Sequence, residues 1–206
     1  DKNITKKMLR DCGIPTADWT IARSIEDIDY DKIEEMGYPV FIKPNSGGSS
    51  VATFKVECRE DVEDAVRAGL EVDDIVMIEA YLPGDEYTSF VLDGEVYPTI
   101  KISSPTGFFD FESKYSTGAN AAKEEVVYLE KDLQDQINKA SKAVWDTFYC
   151  RAYVRADFIL SNGTFYVLEL NTLPGMTPTS LIPRSANAKG LSYSKLVDKI
   201  METSLK

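Results

Sequence analysis

Residues 154–177 read VRADFILSNGTFYVLELNTLPGMT, two apolar runs on either side of Ser161-Asn162-Gly163. Small polar residues and glycine between β-branched and aromatic runs predict an antiparallel hairpin. Phe158, Ile159, Leu160 and Phe165, Tyr166, Val167 make both strands apolar nearly throughout, the pattern of strands buried on two faces. Asp157, Glu169 and Asn171 interrupt that pattern, and a charge is kept out of water only when something pairs with it. The turn decides whether the three meet. A two-residue Asn162-Gly163 turn pairs 161 with 164 and sends Asp157 and Glu169 to opposite faces. A three-residue loop, with Gly163 at positive φ, pairs 160 with 164 and gathers both acids and Asn171 on one face.

Gathered on one face, two carboxylates and an amide oxygen are hard donors, suited to Mg²⁺ or Mn²⁺ and poorly suited to zinc. Scattered, they are polar residues on a half-solvated sheet; the apolar flanks favour the metal. Arg155 precedes Asp157 by two and shares its face. A fixed guanidinium there suits an oxyanion or a substrate carboxylate, with a plain salt bridge as the alternative.

Working outward, Lys43-Pro44-Asn45-Ser46-Gly47-Gly48-Ser49-Ser50 lies between two β-rich runs. Glycine lets backbone N–H groups approach phosphate oxygens, and lysine and serine add charge and hydrogen bonds; the alternative is a flexible hairpin. Neither G-x-x-x-x-G-K-[ST] nor G-x-G-x-x-G occurs there. Apolar spacing predicts helices at the start of the chain, at 25–36, from Val62 to Leu70, from Leu133 to Phe148, and behind Ser192. Extended segments are expected at 17–22, 38–43, 51–56 and 75–78. A hairpin of 86–92 with 95–102 is expected around Asp93-Gly94. The interval 103–124 is long for a connection and is expected to be a functional lid. Helices mixed with hairpins give an α+β chain in two lobes, with the second beginning after Pro83-Gly84.

The 206 residues, 43% of them hydrophobic, are enough for one large or two small cores. A formal charge of −11 argues against nonspecific binding to nucleic acid or anionic membrane. No apolar run is long enough for a bilayer, and the protein is expected to be soluble and cytoplasmic. Cys12, Cys58 and Cys150 lack metal or redox spacing, and the absence of histidine excludes imidazole chemistry. The opening at Asp1, directly on a helical pattern, is expected of a piece of a longer chain.

Taken in order, Asp1-Lys2, FIKPNSGGSSV at 41–51, MIEAYLPGDEYT at 77–88, FFDFESKY at 108–115, RADF at 155–158 and LELNTLPGMTPTSLIP at 168–183 resemble the ATP-grasp portion of the D-alanine:D-alanine ligases. The resemblance implies an ATP-grasp fold whose two lobes clasp the nucleotide, a small one at 1–82 and a large one at 83–206. It implies that ATP phosphorylates one D-alanine, that the amine of a second attacks the acyl phosphate, and that the dipeptide serves peptidoglycan. By the same resemblance Lys2, Lys43, Ser49 and Ser50 bind ATP phosphates, Glu79, Ala80 and Leu82 line the adenine site, and Glu86 holds the ribose. Asp157, Glu169 and Asn171 hold two Mg²⁺ or Mn²⁺ ions. Lys114 reaches the transferred phosphate, Arg155 stabilises the tetrahedral intermediate, and Gly175, Ser180 and Leu181 surround the second amino acid. Ser49 and Tyr115 are catalytic by resemblance, and Tyr115 favours an amine over a hydroxyl nucleophile. Two departures stand out: Ala52 replaces a family glycine, and the family's N-terminal domain, which also contributes to the homodimer interface common among its members, is absent from this sequence.

Overall fold

The computed structural model describes residues 1–48, 51–103 and 122–205. Two antiparallel sheets organise them. The first has strands β1 (Trp19–Ala22), β2 (Val40–Pro44), β3 (Phe54–Val56) and β4 (Val76–Ala80) in the order β1-β4-β2-β3. Val40, Ile42, Val76 and Ile78 alternate onto one face and form a core with helices α2 (Tyr30–Met36) and α3 (Val62–Leu70). Their neighbours Phe41, Lys43, Met77 and Glu79 point to the opposite face, because side chains alternate along a strand.

The second sheet holds β5 (Asp85–Leu92), β6 (Glu95–Val96), β7 (Ile100–Ser103), β8 (Lys123–Val126), β9 (Tyr153–Ser161) and β10 (Thr164–Asn171). Its order is β10-β9-β5-β7-β8, with β6 paired to β5. One face packs Tyr87, Ala156, Phe158, Phe165 and Val167 against α4 (Lys131–Thr147), and Leu9 and Ile14, from and just after α1 (Lys2–Asp11), join that core. The other face meets α5 (Leu181–Ala188) and α6 (Tyr193–Ser204) through Phe90, Leu92, Ile182 and Leu196, and leaves its β9–β10 end for the polar residues. Among the described residues no helix is long and apolar enough to cross a membrane.

Several expected elements change length for local reasons. The 25–36 helix begins only at Tyr30, where the Asp29 carboxylate accepts from Lys32 N at 2.9 Å and caps it. The 51–56 strand shrinks to Phe54–Val56 because Ala52 turns with φ of 51°, the conformation that a glycine adopts without strain. The 95–102 strand breaks into β6 and β7 around Pro98, which has no N–H for the ladder, and the pairing with β5 slips by one residue across the break. Helix α5 was not expected from LIPRSANA. Pro183 sits in its first turn, where backbone N–H groups have no intrahelical acceptor to lose.

The passage between the sheets is tight. A Cβ added at Gly84, between β4 and β5, would lie 2.0 Å from the Leu160 carbonyl oxygen. Gly84→Ala is therefore expected to destabilise the protein by at least about 1–3 kcal/mol, since backbone rather than a flexible side chain must move. A lowered urea midpoint with an unchanged slope would record it; an unchanged midpoint would refute it.

Candidate active site

The hairpin at 154–171 settles the register differently from the three-residue loop. Thr164 pairs with Ser161, so the turn has two residues, and Asn162 and Gly163 both have positive φ, 48° and 78°, as a type I′ turn requires. Unaltered, that register would separate Asp157 from Glu169. A β-bulge between Val167 and Glu169 shifts the ladder by one residue, so Glu169 lies opposite Asp157 and Asn171 opposite Arg155. The loop after α1 docks beside this irregularity: Val167 N donates to Pro15 O at 2.8 Å, and Thr16 Oγ1 donates to Val167 O at 2.8 Å. The common face thus arises from a bulge rather than from the turn.

On that face Asp157 is almost fully buried and its carboxylate is saturated. Oδ1 accepts from Arg155 Nε at 2.9 Å and from Thr88 Oγ1 at 2.6 Å; Oδ2 accepts from Arg155 Nη2 and Asn171 Nδ2, both at 2.8 Å. The Arg155 salt bridge weighed as an alternative is thus formed, as a two-pronged pair. Burial works against the guanidinium charge, but the carboxylate of Asp157, with Glu169 and Glu86 behind it, holds the Arg155 pKa above its ordinary value. Thr88 was missed by sequence reasoning. It lies two residues from Glu86 on β5, opposite Asp157 in the ladder, and only that register reveals it.

A second polar cluster lies on the face of the first sheet turned away from its core. Lys43 and Glu79 are diagonal neighbours on β2 and β4, and Lys43 Nζ donates to Glu79 Oε2 at 2.5 Å. Lys6 Nζ, from α1, lies 2.6 Å from Glu79 Oε1 and also donates to Thr16 Oγ1 and the Ala17 carbonyl oxygen. Burial alone would raise the Glu79 carboxyl; Lys43 and Lys6 override it and hold it down to about 2. Lys6 was also missed. Its signal is its place three residues from both Asn3 and Leu9, on the inward stripe of α1.

Lys2 connects the two clusters. Its Nζ donates to the Gly47 carbonyl oxygen, its backbone N to Asn45 O at 3.0 Å, and Asn3 N to Asn45 Oδ1 at 2.8 Å. The start of α1 therefore clamps the described part of the glycine-rich loop, and Ser46 N is held from the other side by the Asp73 carboxylate. Burial lowers the Lys2 pKa while Glu169 pulls it up, which places the Lys2 ammonium in the field of the acid hairpin. Lys2 thus lies in the fields of Lys43 and Glu79 from one cluster and of Glu169 from the other.

The remaining expected residues lie elsewhere on the described elements or outside the description. Ala80 ends β4, Leu82 lies in the connection to β5, and Glu86 is near the start of β5. Gly175 abuts Ser180 Oγ, which accepts from Thr177 N at 3.1 Å; Ser180 precedes α5. Leu181 and Arg155 line one recess together with Thr88, Phe90 and Ser185. Ser49, Ser50, Lys114 and Tyr115, with residues 104–121 of the expected lid, lie outside the described residues.

Comparison with known proteins places this chain in a family. Residues 8–202 match the family described as "D-ala D-ala ligase C-terminus". The D-alanine–D-alanine ligase B of Clostridium perfringens is 50% identical over 206 residues, covering 100% of this chain and 68% of the relative. A D-alanine–D-alanine ligase of Clostridium botulinum is 47% identical, again with 68% of the relative covered. Among solved structures, the D-alanine–D-alanine ligase of Bacillus anthracis complexed with ATP superposes with a TM-score of 0.87 at 40% identity, covering 100% of this chain and 65% of that one. A D-Ala:D-Ser ligase of Enterococcus faecalis superposes at 0.85 with 25% identity, covering 98% and 61%. The chain thus spans about two thirds of the length of these proteins, and its two antiparallel lobes have their ATP-grasp fold. It belongs to the D-alanine–D-alanine ligase family.

Proposed function

We propose that this chain forms the nucleotide cleft of a cytoplasmic enzyme that joins two D-alanines at the expense of ATP, the small lobe at 1–82 and the large lobe at 83–206 closing on the nucleotide. The observation that carries the proposal is the meeting at Lys2 of two charged sets, the Lys43–Glu79 pair on one side and, through Glu169, the acid hairpin on the other. A triphosphate with a divalent cation satisfies both sides at once. The lysines neutralise phosphate oxygens, helped by Ser49 and Ser50 of the glycine-rich loop. Ala80 and Leu82 offer backbone groups to adenine beside Glu79, and Glu86 takes the ribose hydroxyls.

The donors at the hairpin fit magnesium by chemistry. Among the described residues no group of three or more acidic or thiol side chains converges. Magnesium does not need one, because it is held through one or two carboxylates and the phosphates themselves. Both Asp157 oxygens are already engaged, so a cation must displace a donor. Turning the Asn171 amide about its last torsion presents its oxygen instead of the nitrogen it now offers. When bound, magnesium supplies charge neutralisation between phosphates during transfer. Two ions, or manganese in their place, belong to the same proposal.

Arg155 then orients the first D-alanine carboxylate and stabilises the oxyanion formed when the second amine attacks its acyl phosphate. Lys114 covers the transferred phosphate, Tyr115 and Ser49 guide the amine, and Gly175, Ser180 and Leu181 hold the second amino acid. A homodimeric parent protein completes the proposal.

The test is phosphate release by the full-length protein with ATP and magnesium, given D-alanine, D-serine, L-alanine or D-lactate as acceptor. D-alanine is expected to give the fastest release; a preference for D-serine assigns a different second substrate, and no dependence on D-alanine refutes the ligation. Glu169→Gln, which keeps the side chain's shape, is expected to weaken magnesium-dependent ATP binding by roughly 10- to 100-fold, the loss typical of disturbing a metal site, with an unchanged urea midpoint. Unchanged magnesium dependence would remove Glu169 from the site.

A further inference from the structure

Lys6 is the most buried ionisable side chain in the cleft region, 1% exposed. Its Nζ has three partners: Glu79 Oε1 at 2.6 Å, Thr16 Oγ1 at 2.6 Å and Ala17 O at 2.8 Å. At 1% exposure it is closed off from any ligand. Burying an ammonium this deeply is unfavourable, and burial indeed holds the Lys6 pKa below the ordinary lysine value despite Glu79. The family's phosphate chemistry, as proposed above, uses Lys43 and leaves Lys6 without a task.

The charges on the three side chains give it one. Glu79 has one negative charge and two ammonium partners, one on each oxygen. Lys43 is the more exposed of the two, 15% against 1%, and is the end of the triad that reaches the cleft. With Lys6 in place the triad carries one net positive charge, and the Glu79 charge is divided between two cations. Without Lys6 the whole carboxylate faces Lys43, neutralises it and draws it back toward the sheet.

We infer that Lys6 is a positioning residue: by occupying one oxygen of Glu79 it leaves Lys43 free to present net positive charge to the phosphates of the nucleotide. The inference rests on the ATP-binding reading and adds to it a residue that touches no substrate. It predicts an effect on phosphate recognition and none on recognition of the nucleoside.

Calorimetric titration of the full-length protein with ATP and magnesium, and separately with adenosine, distinguishes this role from a merely structural one. Lys6→Met is expected to lower the ratio of ATP affinity to adenosine affinity by about tenfold or more, the effect of one charge at short range in a partly buried site. Lys6→Arg keeps a cation against Glu79 and with it the net charge of one. That variant is expected to stay within about threefold of the wild-type ratio, because the charge on Lys43 remains uncompensated. Equal losses of ATP and adenosine affinity in Lys6→Met, or a fall of the ratio in Lys6→Arg as large as in Lys6→Met, would overturn the inference. Should Lys6→Met fail to fold, Lys6→Gln is titrated in its place, with the same fall in the ratio expected and an unchanged ratio overturning the inference. A wild-type protein that binds adenosine but not ATP, or neither, refutes the nucleotide reading itself and the role of Lys6 with it.

Discussion

Asp157→Ala is expected to lower the unfolding free energy by about 3–5 kcal/mol, the penalty for leaving one member of a buried ion pair without its partner. The Arg155 side chain is 17% exposed and Asp157 7%, so water offers little compensation. The same change removes the acceptor used by Thr88 and Asn171 and a proposed metal ligand. ATP-dependent turnover should disappear with it. Two companion variants separate the causes. Asp157→Asn keeps the shape and one acceptor oxygen, so it should lose less stability while losing as much magnesium-dependent binding. Thr88→Val removes one hydrogen bond and should cost only about 1 kcal/mol. Urea denaturation of the three variants checks the order. Asp157→Ala as stable as Thr88→Val would mean that Arg155 does not depend on Asp157.

The second large effect is a loss of stability in acid. The Glu79 carboxyl is held down to about 2, against an ordinary value of 4.5. A folded-state pKa below the unfolded one means that the unfolded chain binds the proton more readily as pH falls. The stabilisation is therefore fully present above about pH 4.5 and is lost as pH drops through the interval toward 2, a contribution on the order of 3 kcal/mol. Unfolding free energies measured across that interval should fall more steeply for the wild type than for Glu79→Gln, which has no proton to gain. Superimposable profiles would contradict the Lys6–Glu79–Lys43 arrangement.

Much of the fold could be read from the sequence, and the exceptions have identifiable causes, some local and some distant in the chain. Helix α4 and the β9–β10 hairpin announced themselves because long periodic runs and an Asn-Gly turn are strong local signals. Strand 95–102 failed at Pro98, and α5 was missed because its apolar residues are crowded into its first turn instead of being spread along one stripe. The hairpin is the most instructive case. Turn chemistry alone predicted either a two-residue turn with the acids apart or a three-residue turn with them together, and the molecule combines a two-residue turn with the acids together. The bulge responsible lies beside a contact between Thr16 and Val167, 151 residues apart, which no inspection of the hairpin could reveal. Lys6 and Thr88 escaped for the same reason, since each gains its meaning from a partner on another element.

Asp157, Glu169 and Asn171 stood out because they interrupt an apolar pattern. Lys43, by contrast, stood out only by its glycine-rich neighbourhood, and its bond to Glu79 depends on the pairing of β2 with β4. Ala52 shows what sequence and structure contribute together: its place beside the glycine-rich stretch is visible in the sequence, and its positive φ is a conformation that a glycine adopts without strain.

In the proposed enzyme the two charged sets form one nucleotide site dependent on a divalent cation. Calorimetric titration of the full-length protein with ATP, in magnesium and then in excess EDTA, tests it most directly. Saturable binding at one site per chain, weakened by roughly tenfold or more when the cation is removed, is the result expected of carboxylates that otherwise repel the phosphates. Equal affinity in magnesium and EDTA, or no binding in either, would contradict it.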